Sequence, residues 1–285
     1  MGSEHDECCG GHDDDGCTND CTVQEGLVLV QPDDGVAIVT LNRPDKLNAL
    51  SADVLTELHM ALAGIEADES VGALVITGNA ATKRPAFAAG ADIAEMVSLS
   101  ALEMRQHSQL GQAVFSMLEQ LSKPSIAAVN GFAFGGGMEL TMACHLRFAA
   151  EGASFGQPEI NLGIVPGFAG SQRLPRLVGQ GRALEMLLSG DPINAAEAHR
   201  IGLVNRVLPD TELVKGATEF ARKLAKKAPV ARAAIIDLVV RGAGQTLERA
   251  MASEADTFGL VGGSEDVKEG MQAFLEKRPA NWVGR

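Results

Sequence analysis

The chain has 285 residues, 46% hydrophobic and 21% charged, a composition that suits a soluble globular protein with a sizeable core. Its formal net charge is −13, but residues 1–26 hold eight acids and no Lys or Arg, so the rest carries 29 acids against 24 bases, a balance of −5 with no basic block. That body lacks the electrostatic footprint of a nucleic-acid binder, and no run reaches the 18 or so apolar residues of a spanning helix. The first residues also lack a basic, apolar-cored leader or an Arg-rich presequence, so a cytoplasmic protein with no nucleic-acid or membrane partner is expected.

In chain order, residues 1–22 form an acidic head with four of the five cysteines (Cys8, Cys9, Cys17, Cys21) and two histidines (His5, His12). These could offer a soft metal its ligands. However, no C-x-x-C pairing occurs, and an EF-hand register with Gly16 at position six puts Gly11 and Thr22 where carboxylates are needed. A disordered, solvated tail is expected, with no metal site. The fifth cysteine, Cys144, sits among apolar residues, so no disulfide framework supports the body.

The runs "LVLV" and "VAIVTL", separated by "PDDG", predict a β-hairpin. Ser51 then offers an N-cap to a helix with apolar residues at Val54, Leu55, Leu58, Leu62 and Ile65. A buried strand is expected over 73–78, a second long helix over about 101–121, and another buried strand over 125–131 after Pro124. Strand runs recur every 40 to 50 residues with helices between them, a loose repeat. After about Val207 the strand signals stop, and four amphipathic segments to the C-terminus predict a helical appendage of the kind that packs against partner subunits. The expected division is a head (1–22), an α/β body (23–207) and a helical oligomerisation region (208–285).

Within "GFAFGGGMEL" (131–140), three consecutive glycines demand an explanation, because each costs about 1 kcal/mol relative to Ala in a helix. A P-loop reading fails because Gly137 and Met138 stand where Lys and Ser/Thr are needed, and a dinucleotide fingerprint fails at Leu140. What remains is a strand turning through glycines into a helix whose free N–H groups attract negative charge, the anatomy of an oxyanion hole. A second glycine turn, "FAAGADI" (87–93), could supply a second donor. Two carboxylates accompany these turns. Glu139 lies just after the glycines, and Glu159 lies in an apolar stretch with no Lys or Arg between Phe155 and Gly170. Burial there raises a carboxyl pKa, which suits acid-base chemistry near neutrality.

"FAAGADIAEM", "KPSIAAVNGFAFGGGMEL" and "FGQPEINLGIVPGFAGSQRLPRLVG" resemble successive signature segments of the crotonase, or enoyl-CoA hydratase, superfamily. The resemblance runs from about Val23 to the C-terminus and includes "LNRPDKLNAL" and "EGMQAFLEKRPANW". It implies an α/β spiral of ββα units with a C-terminal helical trimerisation region, assembled as a homo-trimer or dimer of trimers. It further implies an acyl-CoA thioester substrate, held by an oxyanion hole made of the N–H groups of Ala91 and Gly136. Glu139 and Glu159 match the two catalytic glutamates of the hydratases, a lyase activity of fatty-acid metabolism that needs no cofactor beyond the coenzyme A of the substrate itself. By the same resemblance Ala89, Asp92, Ile93 and Lys277 are substrate contacts, Lys277 towards CoA phosphates and often from a neighbouring subunit.

The chain departs from the family pattern at three places: Ala94 where many hydratases have Lys, His145 where Asp is common, and Ala169 where Gly is frequent. The last is expected to narrow the pocket by a methyl, and His145 is read as a satisfied residue without a catalytic role. Two alternatives stand beside hydration. One is an enoyl-CoA isomerase or another acyl-CoA enzyme on the same fold; the other is a non-catalytic scaffold using its Cys/Asp head to hold metal or partners.

Overall fold

The computed structural model describes residues 26–81 and 84–285, and the expectations placed on residues 1–22 lie outside them. The hairpin forms as predicted. Strand β1 (Val28–Asp33) pairs antiparallel with β2 (Val36–Leu41), closing from Val28 opposite Leu41 to Asp33 opposite Val36. The two-residue turn is Asp34-Gly35, both with positive φ, the Asp-Gly chemistry whose twist matches a hairpin.

Helix α1 (Ala52–Ala67) starts where Ser51 accepts the Val54 N–H, and it buries the five predicted apolar residues. A cap of this kind contributes about 1 kcal/mol. β3 (Ala73–Gly78) is buried at every residue. After it come three-residue β4 (Ala86–Ala88), one-turn α2 (Ile93–Met96) and long α3 (Ala101–Glu119), which opens on a capping box between Ser100 and Glu103.

β5 (Ser125–Val129) stops two residues short of its expected end, because the Asn130 side chain turns across to donate to the Gly78 carbonyl. There follow β6 (Phe132–Phe134), α4 (Gly136–Ala143), β7 (Leu146–Ala150), β8 (Ser154–Gly156), α5 (Gly170–Val178), α6 (Gln180–Ser189), β9 (Ile193–Asn194), α7 (Ala195–Arg200) and β10 (Arg206–Leu208).

The strands sort into two sheets. The larger has the order β1-β2-β3-β5-β7-β10, parallel from β2 onward, and the smaller has the order β4-β6-β8-β9. Each unit sends its first strand to the large sheet and its second to the small one, so β3/β4, β5/β6 and β7/β8 are successive turns of one spiral. Within the small sheet β4, β6 and β8 run parallel and adjacent. Their C-terminal ends therefore share one edge, and whatever follows each strand is brought side by side.

The helical end has two parts. α8 (Leu213–Ala225) lies across β2, β3, β5 and β7 with Leu213, Ala217 and Ala221 buried. A Cβ added to Gly72 would sit 2.8 Å from the Ala225 Cβ, so this helix packs on the body at close range. By contrast α9 (Pro229–Gly242) and α10 (Leu247–Gly262) bury no residue, and α11 (Glu265–Glu276) buries only Asp266 and Ala273. No described helix is long and apolar enough to cross a membrane.

Candidate active site

Three consecutive turns of the spiral meet at the shared edge of the small sheet. The turn after β4 carries Ala91, and the turn after β6 carries Gly135 to Gly137 and then Glu139. The turn after β8 leads through Gln157 into a 3-10 turn, Pro158–Leu162, that carries Glu159. They surround a cavity of about 540 Å³ lined by Ala91, Ile93, Gly136, Glu139, Glu159 and Phe168 among others. That volume falls within the range of small-molecule sites.

Each glycine of the triplet has its own reason. Gly135 has φ +49°, ψ −124°, a backbone conformation that a side chain disfavours. A Cβ on Gly136 would lie 3.0 Å from the Phe168 ring and 3.4 Å from the Ala91 nitrogen, across the space between the two turns. At Gly137 a Cβ would be 2.0 Å from the Ala88 carbonyl oxygen, so here the glycine lets α4 approach β4. α4 starts at Gly136, which makes the Gly136 N–H the first unsatisfied donor of the helix.

"LNRPDKLNAL" aims the other donor. Leu50 donates to the Gly90 carbonyl at 2.8 Å and accepts from Asp92 N–H at 3.1 Å, so the intervening Ala91 N–H points away from Leu50. Asn48, buried, donates to the Ala86 carbonyl at 2.8 Å and fixes the same segment against β4. Among the described residues neither the Ala91 nor the Gly136 N–H has a hydrogen-bond partner. Two free donors on adjacent turns beside one cavity are what an oxyanion hole requires.

The two carboxyl groups are both buried. Glu139 is 1% exposed, and its Oε1 accepts from Phe168 N–H at 2.8 Å and Gly170 N–H at 2.6 Å. Burial pushes this carboxyl up to about 7; the Gly170 N–H opposes that, Glu159 adds to it, and the Phe168 N–H and the Arg173 charge oppose it. Glu159 is raised above the usual carboxylate range by burial, and its Oε2 has no partner among the described residues. A buried carboxylate oxygen left open in this way is expensive unless it carries or receives a proton.

Of the residues named as substrate contacts, Ala89 and Ile93 line the cavity and Asp92 does not. Its carboxylate caps α2 at Ala94 N–H and pairs with Arg43 at 3.1 Å, so it holds the turn that carries Ala91. Lys277, the left-handed C-cap of α11, is also absent from the lining within one chain. Ala169 is not in the lining either, so its methyl does not narrow the cavity. It adopts φ +76°, ψ 22° at the start of α5, where the departure from Gly places a side chain in left-handed backbone. His145 is satisfied as read: Nδ1 accepts from Ser125 N–H at 3.0 Å, which leaves Nε2–H to donate to the Glu119 carbonyl at 3.1 Å.

The residues that sequence reasoning missed are Gln157, Phe168 and Gly170. Gln157, fully buried, donates to the Gly135 carbonyl at 3.2 Å. A Cβ on Gly170 would come within 2.9 Å of Glu139 Oε1. Gly170 sits in "PGFAG", and a close-approach glycine near Glu159 was the available signal. Among the described residues no three His, Cys, Asp or Glu side chains are placed to hold a metal.

Known proteins share this arrangement's sequence and fold. Residues 31–285 match the family described as enoyl-CoA hydratase/isomerase. The chain is 47% identical over 258 residues to a crotonyl-CoA hydratase of Syntrophomonas wolfei, covering 90% of this chain and 98% of that protein. It is also 47% identical over 251 residues to a short-chain-enoyl-CoA hydratase of Clostridium acetobutylicum, covering 88% and 95%. The crystal structure of an enoyl-CoA hydratase from Bacillus anthracis superposes with a TM-score of 0.87 at 37% identity, covering 91% of this chain and all of that one. With a fold, a cavity edge and a sequence match extending over most of its length, the chain belongs to the enoyl-CoA hydratase/isomerase family.

Proposed function

We propose that the protein hydrates 2-enoyl-CoA thioesters to 3-hydroxyacyl-CoA. The observation that carries this reading is the convergence of two buried, pKa-raised carboxyls and two free backbone donors on one cavity. In this chemistry the thioester oxygen lies between the Ala91 and Gly136 N–H groups. Water adds its hydroxyl to C3 and a proton goes to C2, through or near an enolate that is too basic to form without preorganised donors. Glu139, its Oε1 fixed by two N–H bonds, orients and deprotonates the water. Glu159, whose proton affinity burial raises, delivers the proton to C2. The charge of Glu159 raises Glu139, so the two roles belong to the pair as much as to either residue. No step calls for a cofactor other than the coenzyme A that the substrate carries.

Loss of the conjugated thioester absorbance on adding crotonyl-CoA and longer 2-enoyl-CoAs tests this directly. Isomerisation needs only one carboxylate to shuttle a proton, so a 3-enoyl-CoA offered in parallel separates the two reactions. Faster turnover of the 3-enoyl ester with no hydration of crotonyl-CoA overturns the reading.

Self-association belongs to the same reading. α9 to α11 expose Ile235, Val239, Phe258, Leu260 and Phe274, with Phe258 and Phe274 at 80% and 83%. Exposed aromatic and aliphatic residues in that number mark a contact face, and a homo-trimer or dimer of trimers would cover it and could bring Lys277 to a neighbour's CoA. Light scattering after size exclusion reads the assembly.

A further inference from the structure

Arg173 lies one turn into α5, nearly buried, and does not itself line the cavity. Its Nη1 donates to the Phe168 carbonyl at 3.0 Å, and its Nε and Nη2 form a fork on the Glu119 carboxylate at 3.3 and 2.8 Å. The peptides around Phe168 alternate in direction. The N–H groups of Phe168 and Gly170 both point inward at Glu139 Oε1, and the carbonyl between them points outward to Arg173. The left-handed conformation of Ala169 produces this alternation and makes the turn a small anion-binding concavity. The Phe168 ring is also confined from α3, edge-on to Phe115 with centroids 5.4 Å apart, and a Cβ on Gly111 would lie 2.2 Å from it. Ser108 and Gln112 of α3 bond the neighbouring Gly167 carbonyl, but both are neutral; Arg173 is what brings a positive charge to the turn.

We propose that Arg173 is a positioning residue for Glu139: it fastens the 168–170 turn whose two N–H groups aim at Glu139 Oε1, and Glu119 is the counter-ion that holds Arg173 and tempers its charge. The guanidinium thus acts on the catalytic carboxylate in two ways, through the peptide turn it anchors and through its field, which favours the ionised form. The charged or titratable groups around Glu139 are few. Glu159 faces it from the 3-10 turn and Arg173 from α5. α3 contributes Glu119 behind Arg173, and Arg105 and His107 in the lining of the same cavity, the His107 ring centroid 5.3 Å from that of Phe168. Cys144, at the end of α4, is pushed by burial up to about 12 and stays neutral, and α4 itself carries no other charge.

The role rests on the hydratase reading, so the test has one arm that needs no substrate. Arg173→Met is expected to lower kcat about 10- to 100-fold with KM nearly unchanged, since a reacting group is misplaced while the groups that bind the substrate stay where they are. Its acid limb of kcat/KM should move to higher pH. Glu119→Gln leaves Arg173 less neutralised and should move the same limb to lower pH. Arg173→Lys keeps the charge without the fork, so the limb should stay near the parent position while kcat falls.

Difference infrared spectroscopy of the Glu139 carboxyl, identified by its loss in Glu139→Gln, follows the same titrations without substrate. A parent enzyme without hydratase activity sinks the functional reading and leaves the infrared arm to decide. Titrations that do not move, or that move in the same direction in Arg173→Met and Glu119→Gln, overturn the positioning role. If Arg173→Met does not fold, Glu119→Gln and Arg173→Lys decide alone.

Discussion

The turn after β6 and the turn after β8 each deliver a glutamate to the cavity, and they treat it differently. Glu139 sits on a helix whose every residue is buried, with one oxygen gripped by two backbone donors and a guanidinium in the background. Glu159 sits on a 3-10 turn beside the exposed Ile160 and Leu162, with one buried oxygen left unpartnered among the described residues. Burial raises both carboxyls, but only the first has one oxygen held by two N–H bonds from a neighbouring turn. A held carboxylate suits fixing a water molecule, and one without such donors suits keeping a proton to give away.

The strongest way to break that contrast is to remove each proton-transfer capacity in turn. Glu139→Gln and Glu159→Gln should each lower kcat about 10²- to 10⁴-fold while leaving binding of a CoA ester largely intact. Steady-state kinetics with calorimetric binding of a non-reactive acyl-CoA checks both halves, and near-parental turnover in either folded variant would remove that residue from the chemistry.

Next in size is the shared donor. Gly136→Pro deletes one N–H and should cost about 10²- to 10³-fold in turnover with a smaller change in KM, provided thermal melting shows an intact fold. A folded variant at the parent rate would mean that the triplet exists for packing alone.

The pH dependence sharpens the comparison further. Glu139 must be ionised to accept a proton, so kcat/KM should rise with pH through about 7. Its folded-state value lies above its unfolded one, so stability from this group is fully present below the ordinary carboxyl range and is lost as pH rises through about 7. Glu139→Gln does not titrate and its Oε1 can still accept the two N–H bonds. Its melting temperature relative to the parent should therefore be higher at pH 8 than at about pH 4; a gap that does not change with pH would contradict the raised carboxyl. The smallest effect is expected at Ala169→Gly, which relieves left-handed backbone at φ +76° and should add about 1 kcal/mol of stability, read by denaturant unfolding.

Much of this was legible in the sequence because it depended on long, periodic segments. Val54 to Ile65 carry the spacing of one buried face, the four C-terminal segments carry helical periodicity, and Ser51 and "PDDG" carry local chemistry that needs no tertiary context. Strands β4, β6 and β8 are three residues each, too short to show alternation, so the small sheet that assembles the site was hidden. The glycine triplet declared a close approach, but the partner of each glycine, whether Ala88, Phe168 or Glu159, depends on which strands are neighbours. Arg173 gave no sign at all. Its role depends on a carbonyl five residues back and on a carboxylate more than fifty residues away, at the end of another helix.

Both donors of the proposed hole are main-chain groups, and one of them belongs to a residue that is already alanine. A scan that replaces every side chain by alanine would therefore pass over Ala91 without making a variant. At Gly136 it would add a methyl 3.0 Å from the Phe168 ring, and the resulting loss would read as a packing defect. Half of the machinery would go unscored by the method most often used to find it. Replacing the amide by an ester at residue 91 or 136, through backbone-modified synthesis, removes the N–H while keeping every side chain, and is the measurement that this architecture calls for.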